Sequence, residues 1–251
     1  SYAALACIAI QANQNEMHGG QSVPNFDYSM APGVKKTFRK AYFKALAQYM
    51  QVAHGVDKDT ARALSQEARE SLTGEEVSMG NGEAYGSLII PWLASHEKAE
   101  LSEEEARKAH EYAMQTAWDN TDNATFQAME ALVHNLNTMN SRAGAQVPFS
   151  SINYGTDTSP EARMVIRNLL QATDNGLGDG ETPIFPVQIF KVKEGINYNP
   201  GDPNYDLFKM AIKTSAKRLF PNFSFIDAPF NLQYYKPGDY NSEIAYMGCR
   251  T

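Results

Sequence analysis

Between residues 146 and 227 the chain alternates between short β-rich runs and capped helical runs, and this restricts its fold more than any other feature. Residues 146–154 (QVPFSSINY) alternate and are rich in Val, Phe and Ile, which predicts a strand. Thr158 or Ser159 as cap, Pro160 in the first turn and Glu161 open a helix through about Thr173. Residues 176–180 (GLGDG) break it, and residues 184–192 (IFPVQIFKV) predict a second strand. Asp202 and Pro203 start a further helix through Leu219, which Pro221 stops, and residues 223–227 (FSFID) predict a third strand. Such a β-α-β-α-β order calls for parallel strands, because a helical crossover returns the chain to the same end of the sheet. Functional groups then collect at the C-terminal strand ends, where Ser150, Ser151, Asn153, Asp157, Lys193 and Asp227 fall. The turn from Asn153 to Pro160 is expected to offer free backbone N–H groups as a phosphate seat. Every parallel α/β protein has such turns, so spacing alone identifies no reaction.

The residues before 140 read as helical. Residues 1–17 predict a buried helix ended by Gly19 and Gly20, with Cys7 as a small core hydrophobe. Residues 24–32 predict a polar-aromatic loop, followed by a helix over residues 34–52. Lys35, Lys36, Arg39 and Lys40 then sit in its first turns, where cations oppose the helix dipole. Either they form a solvated basic face or they meet an anion. Residues 57–71 predict an amphipathic helix capped by Asp57 or Asp59, and residues 73–86 a glycine-rich loop without the Gly-Lys-Ser/Thr of a phosphate loop. Ser102 and Glu105 form a capping box that opens a long helix to about Met139, with an expected break near residues 119–123. His110 and His134 lie on its apolar faces without a partner at i+4, so they read as structural rather than metal-ligating.

With 251 residues the chain can bury a substantial core, and the absence of a low-complexity linker predicts one continuous domain, helical over 1–139 and α/β over 140–251. The net charge of −7 argues against a general nucleic-acid or anionic-membrane surface. No apolar run is long enough to span a bilayer. Two cysteines, Cys7 and Cys249, make neither a disulfide framework nor a zinc motif, so no metal site is expected here and a reducing, cytoplasmic setting fits best. The chain starts without Met inside a helical run and stops just after a cysteine, which reads as a fragment of a longer protein.

Four stretches, in this order, carry a resemblance. Residues 19–28 (GGQSVPNFDY) with 31–34 (APGV), residues 140–156 (NSRAGAQVPFSSINYGT), residues 182–190 (TPIFPVQIF) and residues 246–251 (YMGCRT) are similar to anaerobic ribonucleoside-triphosphate reductases. The resemblance covers essentially the whole chain. It implies a partial ten-stranded α/β barrel of the glycyl-radical type, preceded by a helical region that forms a dimer and effector surface. It implies reduction of ribonucleoside triphosphates to 2′-deoxyribonucleoside triphosphates, the precursors of DNA, by a thiyl-radical mechanism under anaerobic conditions. Cys249 then takes the place of the thiyl-bearing cysteine at the tip of a loop, and Met247 that of a methionine lining the active site. Ser150, Ser151 and Asn153 are the expected substrate-binding residues, with Arg142 and Gln146 as weaker candidates. Lys35, Lys36, Arg39 and Lys40 become candidates for the phosphates of a dNTP or ATP effector.

The resemblance further implies a homodimer, formate as reductant and a radical-SAM activase with an iron–sulfur cluster. The glycyl radical and a zinc site are expected beyond Thr251, and the family's second active-site cysteine before Ser1, since Cys7 does not match its place. The chain alone is therefore expected to be inactive. One alternative is a non-catalytic, nucleotide-binding regulatory domain. A formate-lyase relative is disfavoured by the strand over residues 146–151 and by the Met247–Thr251 loop.

Overall fold

The computed structural model describes residues 2–16, 19–138 and 147–247. Arg142, Gln146 and Cys249 lie outside the described residues. The elements in chain order are α1 (Tyr2–Glu16), β1 (Gln21–Val23), α2 (Phe26–His54), α3 (Lys58–Ser71), α4 (Gly82–Ser95), α5 (Glu103–Thr138), β2 (Ser150–Tyr154), α6 (Pro160–Asn175), β3 (Val187–Val192), α7 (Tyr205–Arg218), β4 (Asn222–Phe225) and α8 (Pro229–Leu232). They divide into two compact units, one of residues 1–33 with 125–251 and one of residues 34–124.

The first unit is built on a four-stranded sheet in the order β1-β2-β3-β4, with every pair parallel. The alternation read from the sequence therefore holds, with one addition. β1 is only Gln21–Val23, too short for a period-2 pattern to reveal, and it pairs along β2 with Ser22 opposite Ser151. The other strands are shorter than expected, so that β2 begins at Ser150 rather than at residue 146.

The register sorts the side chains onto two faces. Ile152, Tyr154, Gln188 and Phe190 share the face covered by α6 and α7. There Tyr154 OH donates to Gln188 Oε1 at 2.7 Å, Gln188 Nε2 donates to Thr173 Oγ1 at 2.8 Å, and Phe208 packs against Phe190 and Phe223. Ser22, Ser151, Asn153, Val187, Ile189, Lys191 and Ser224 share the opposite face. All of β2 and β3 is buried. A parallel sheet is normally covered on both faces by apolar packing, so the polar groups on this second face are the anomaly of the fold.

The helix caps follow the sequence. Ser159 Oγ accepts from the Ala162 amide at α6, and Asp57 caps α3 through the Asp59 and Thr60 amides. Ser102 and Glu105 exchange their capping-box bonds at 2.8 and 3.2 Å. Three other expectations change. α2 begins at Phe26 and carries Pro32 inside it, where a loop was expected. Pro32 removes a backbone donor, but buried Phe26, Met30 and Ala31 hold these turns through packing, which outweighs propensity. Lys35, Lys36, Arg39 and Lys40 therefore lie several turns inside α2, beyond the reach of the dipole at its start. α4 begins at Gly82, within the expected glycine-rich loop, and α5 runs unbroken through residues 119–123.

The second unit packs α3, α4 and the facing parts of α2 and α5 around Phe38, Tyr42, Leu46, Met50, Leu64, Tyr85, Ile89 and Leu93. Ala106, Ala109, Ala113 and Ala117 give α5 a stripe of small residues toward this core. His110 is held structurally, as expected. Its Nε2 lies 2.8 Å from the Gly82 carbonyl, so that nitrogen carries the proton, and Nδ1 accepts from Tyr42 OH at 2.8 Å. Burial depresses its pKa, against the Gly82 hydrogen bond.

Candidate functional site

The polar face of the sheet is crossed by the segment that follows α8, residues 233–247, which leads toward Cys249. Two points of attachment fix this strap. At the first, Glu243 Oε2 accepts from Lys191 Nζ at 2.7 Å and from Thr156 Oγ1 at 2.6 Å. The Lys191 side chain is fully buried and that of Glu243 is 4 % exposed, so the pair is removed from water. Lys191 Nζ also donates to Asn25 Oδ1 at 2.9 Å. At the second, the Asn153 side-chain amide brackets the backbone of Tyr246. Nδ2 donates to Tyr246 O at 2.9 Å, and the Tyr246 amide donates to Oδ1 at 3.0 Å. Tyr246 OH donates to Asn231 Oδ1 at 3.0 Å, and Asn231 Nδ2 holds the Phe225 carbonyl at the end of β4.

Beneath and beside the strap lie hydroxyls that bond to nothing among the described residues. Ser151 Oγ and Ser224 Oγ are buried without a hydrogen-bond partner on this face. A buried hydroxyl without a partner costs free energy, so two on one face mark a place where a polar ligand can be received. Ser150 Oγ is also unpartnered, but it opens β2 on the opposite, helix-covered face. The structure therefore brings Ser151 and Asn153 together and separates Ser150 from them. Met247 continues the strap and is 47 % exposed.

Part of the expected phosphate seat after β2 is taken by carboxylates of the chain itself. Asp27, at the start of α2, is buried and accepts from the Gly155 amide at 2.9 Å, the Asp157 amide at 3.1 Å and the Tyr28 amide at 3.0 Å. Asp157 Oδ1 in turn takes the Ser159 amide. Three amides of the turn, those of Gly155, Asp157 and Ser159, are thus satisfied by carboxylates rather than left for phosphate. Burial pushes the Asp27 carboxyl upward, against the Lys191 charge and the two amides of the turn.

Gly155 makes this arrangement possible. Its φ is +128°, and a Cβ there would meet Lys191 O at 2.9 Å. Asn197 and Asn204 close the same corner, both donating to Gly155 O at 3.0 Å, while Arg163 grips Asp206 and Asn204. The Arg163 hydrogen bond holds the Asp206 carboxyl below its usual range. Lys193 and Asp227 pair with each other at 2.9 Å, so neither is spare.

Sequence reasoning missed Asp27, Thr156, Lys191, Asn231 and Glu243. Only Lys191 left a legible signal, as the one cation inside the apolar run VQIFKV. In the second unit Lys35, Lys36 and Lys40 are exposed on α2, and Arg39 pairs with Glu76 at 2.8 Å. Cys7 is buried, and burial raises its thiol pKa, as suits a core residue. No helix among the described residues is long and apolar enough to cross a membrane.

The sequence was also compared with those of known proteins. A protein of phage T4 named anaerobic ribonucleoside-triphosphate reductase is 38 % identical over 140 residues, covering 55 % of this chain and 22 % of that relative. Proteins of the same name from Haemophilus influenzae and Escherichia coli are 34 % and 31 % identical over 127 residues, covering 50 % of this chain and 17 % of each relative. The matched stretch thus spans about a fifth of these relatives' length. The family model described as anaerobic ribonucleoside-triphosphate reductase matches residues 1–251. The chain belongs to the anaerobic ribonucleoside-triphosphate reductase family.

Proposed function

We propose that the protein containing this chain reduces ribonucleoside triphosphates to 2′-deoxyribonucleoside triphosphates by radical chemistry, with Cys249 as the hydrogen-abstracting residue. The observation that carries this reading is the strap pinned across a buried polar sheet face, three residues before Cys249 at its last clamp. The four parallel strands form part of a ten-stranded barrel, and the polar face lines its interior. Ser151 supplies a hydroxyl to the nucleotide, with Arg142 and Gln146 as further contacts.

In this reading a glycyl radical from outside these residues supplies the oxidising equivalent when formed by a radical-SAM activase. Cys249 gives up its thiol hydrogen and becomes a thiyl. The thiyl takes the 3′ hydrogen of the ribonucleotide, and the 2′ hydroxyl leaves as water with formate as the reductant. Met247 lines the reaction space beside it. The chain's own contribution is to hold the sulfur at the substrate and to keep water from the radical. Lys35, Lys36 and Lys40, exposed on α2, are proposed to meet effector phosphates in a homodimer. The whole-chain family match favours this reading over a stand-alone regulatory domain.

The test uses the full-length protein activated anaerobically. Cys249→Ser is expected to keep the electron-paramagnetic glycyl signal and to lose deoxynucleotide formation. Formation that persists in this variant overturns the role given to Cys249.

A further inference from the structure

We infer that Asn153 is a positioning residue that sets the register of the cysteine-bearing strap, rather than a ligand of the substrate. This rests on the reading of Cys249 as the reacting thiol. From strand position alone Asn153 looked like a substrate contact, but its hydrogen-bonding capacity is largely committed. The side chain is fully buried, and its amide imitates a rung of a β-ladder, giving Nδ2 to the Tyr246 carbonyl at 2.9 Å and taking the Tyr246 amide on Oδ1 at 3.0 Å. The remaining Nδ2 hydrogen lies toward Ser22 Oγ at 3.5 Å. An amide side chain has two N–H donors and one carbonyl oxygen, so little remains for a nucleotide. Because both bonds go to backbone, the clamp fixes the path of the chain at residue 246 without depending on the tyrosine ring.

The ring supplies a separate tether, since Tyr246 OH donates to Asn231 Oδ1 at 3.0 Å. Glu243, three residues earlier, is held on Lys191 and Thr156. The strap is thus fixed to the ends of β2, β3 and β4 at successive points just before Cys249. Hydrogen abstraction needs the reacting atoms within about 3–3.5 Å, and a misplacement of about 1 Å costs about 100-fold in rate. A strap released at Tyr246 loses that alignment while the substrate pocket stays in place.

The experiment compares Asn153→Ala and Asn231→Ala in the full-length activated protein, with Cys249→Ser beside them. Asn153→Ala is expected to leave the glycyl signal unchanged, to lower kcat by about 100-fold with KM within about threefold, and to speed backbone hydrogen exchange over residues 244–247. Asn231→Ala is expected to give a weaker form of the same pattern, and it carries the test if Asn153→Ala fails to fold. A raised KM with unchanged exchange makes Asn153 a substrate ligand and overturns the inference. Unchanged exchange in both variants overturns it as well. If Cys249→Ser retains turnover, the functional reading fails, yet the exchange result still decides whether Asn153 holds the strap.

Discussion

The Lys191–Glu243 pair offers the most exacting check on this structure. Its atoms are 2.7 Å apart, with the side chains 0 % and 4 % exposed. At an effective dielectric near 20 the attraction at that separation is about 6 kcal/mol, against a desolvation cost of several kcal/mol per ion. The intact pair is therefore close to neutral, but removing one partner strands the other charge in a dry site, at a cost of about 3–5 kcal/mol. Lys191→Met is expected to fall in that range, and Glu243→Gln near its lower end, because the amide oxygen still accepts from Thr156. The double variant, with no charge left to strand, is expected to cost less than the sum of the singles by about 3 kcal/mol.

Both tryptophans, Trp92 and Trp118, belong to the other unit, so fluorescence does not report on this site. Hydrogen exchange of the β3 amides does. A loss of 3–5 kcal/mol accelerates it by roughly 10² to a few times 10³, since each 1.4 kcal/mol is a factor of ten. Singles below about 1 kcal/mol, or an additive double variant, would refute the claim that this pair is buried and coupled.

His110 lies in a buried hydrogen-bonded site that favours its neutral form, so the unfolded chain binds a proton there that the folded chain does not as pH falls below about 6.5. Its contribution is present above that pH and lost below it. The thermal midpoint followed by Trp92 and Trp118 fluorescence is expected to fall between pH 7.5 and 5.5, and to fall less in His110→Gln; an equal fall in the variant removes His110 as the cause. Ser102→Ala takes away one half of the capping box and is expected to destabilise the second unit by about 1 kcal/mol in urea unfolding. Gly155→Ala forces a positive φ and a 2.9 Å approach to Lys191 O, so it is expected to lower stability by more than about 1 kcal/mol, measured by exchange at β2. Lys36→Glu places an acid on the exposed face of α2 and is expected to abolish dNTP binding in calorimetry; unchanged affinity refutes an effector role for that face.

Local signals in the sequence were read correctly where the determinant was itself local. Ser159 with Pro160, Asp57, and Ser102 with Glu105 start their helices because each cap is completed within three residues of chain. The alternation over residues 146–227 yields parallel strands because a helical crossover leaves no other arrangement. Misreadings came where packing outweighed propensity. Pro32 suggested a loop, yet buried Phe26, Met30 and Ala31 carry α2 through it, and that shift removed the cations from the helix start.

What the sequence determined by itself was the order of strands and helices over residues 146–227, several helix caps and a family likeness centred on residues 140–156 and 246–251. Tertiary structure alone decided which polar groups meet. Asp27 binds the turn after β2 from 128 residues away, Lys191 finds Glu243 at a separation of 52, and Asn153 finds the Tyr246 backbone at 93. No local spacing encodes such pairs. They follow from the register of a parallel sheet, which sends alternate side chains to opposite faces, and from the path of the strap that returns across one of them.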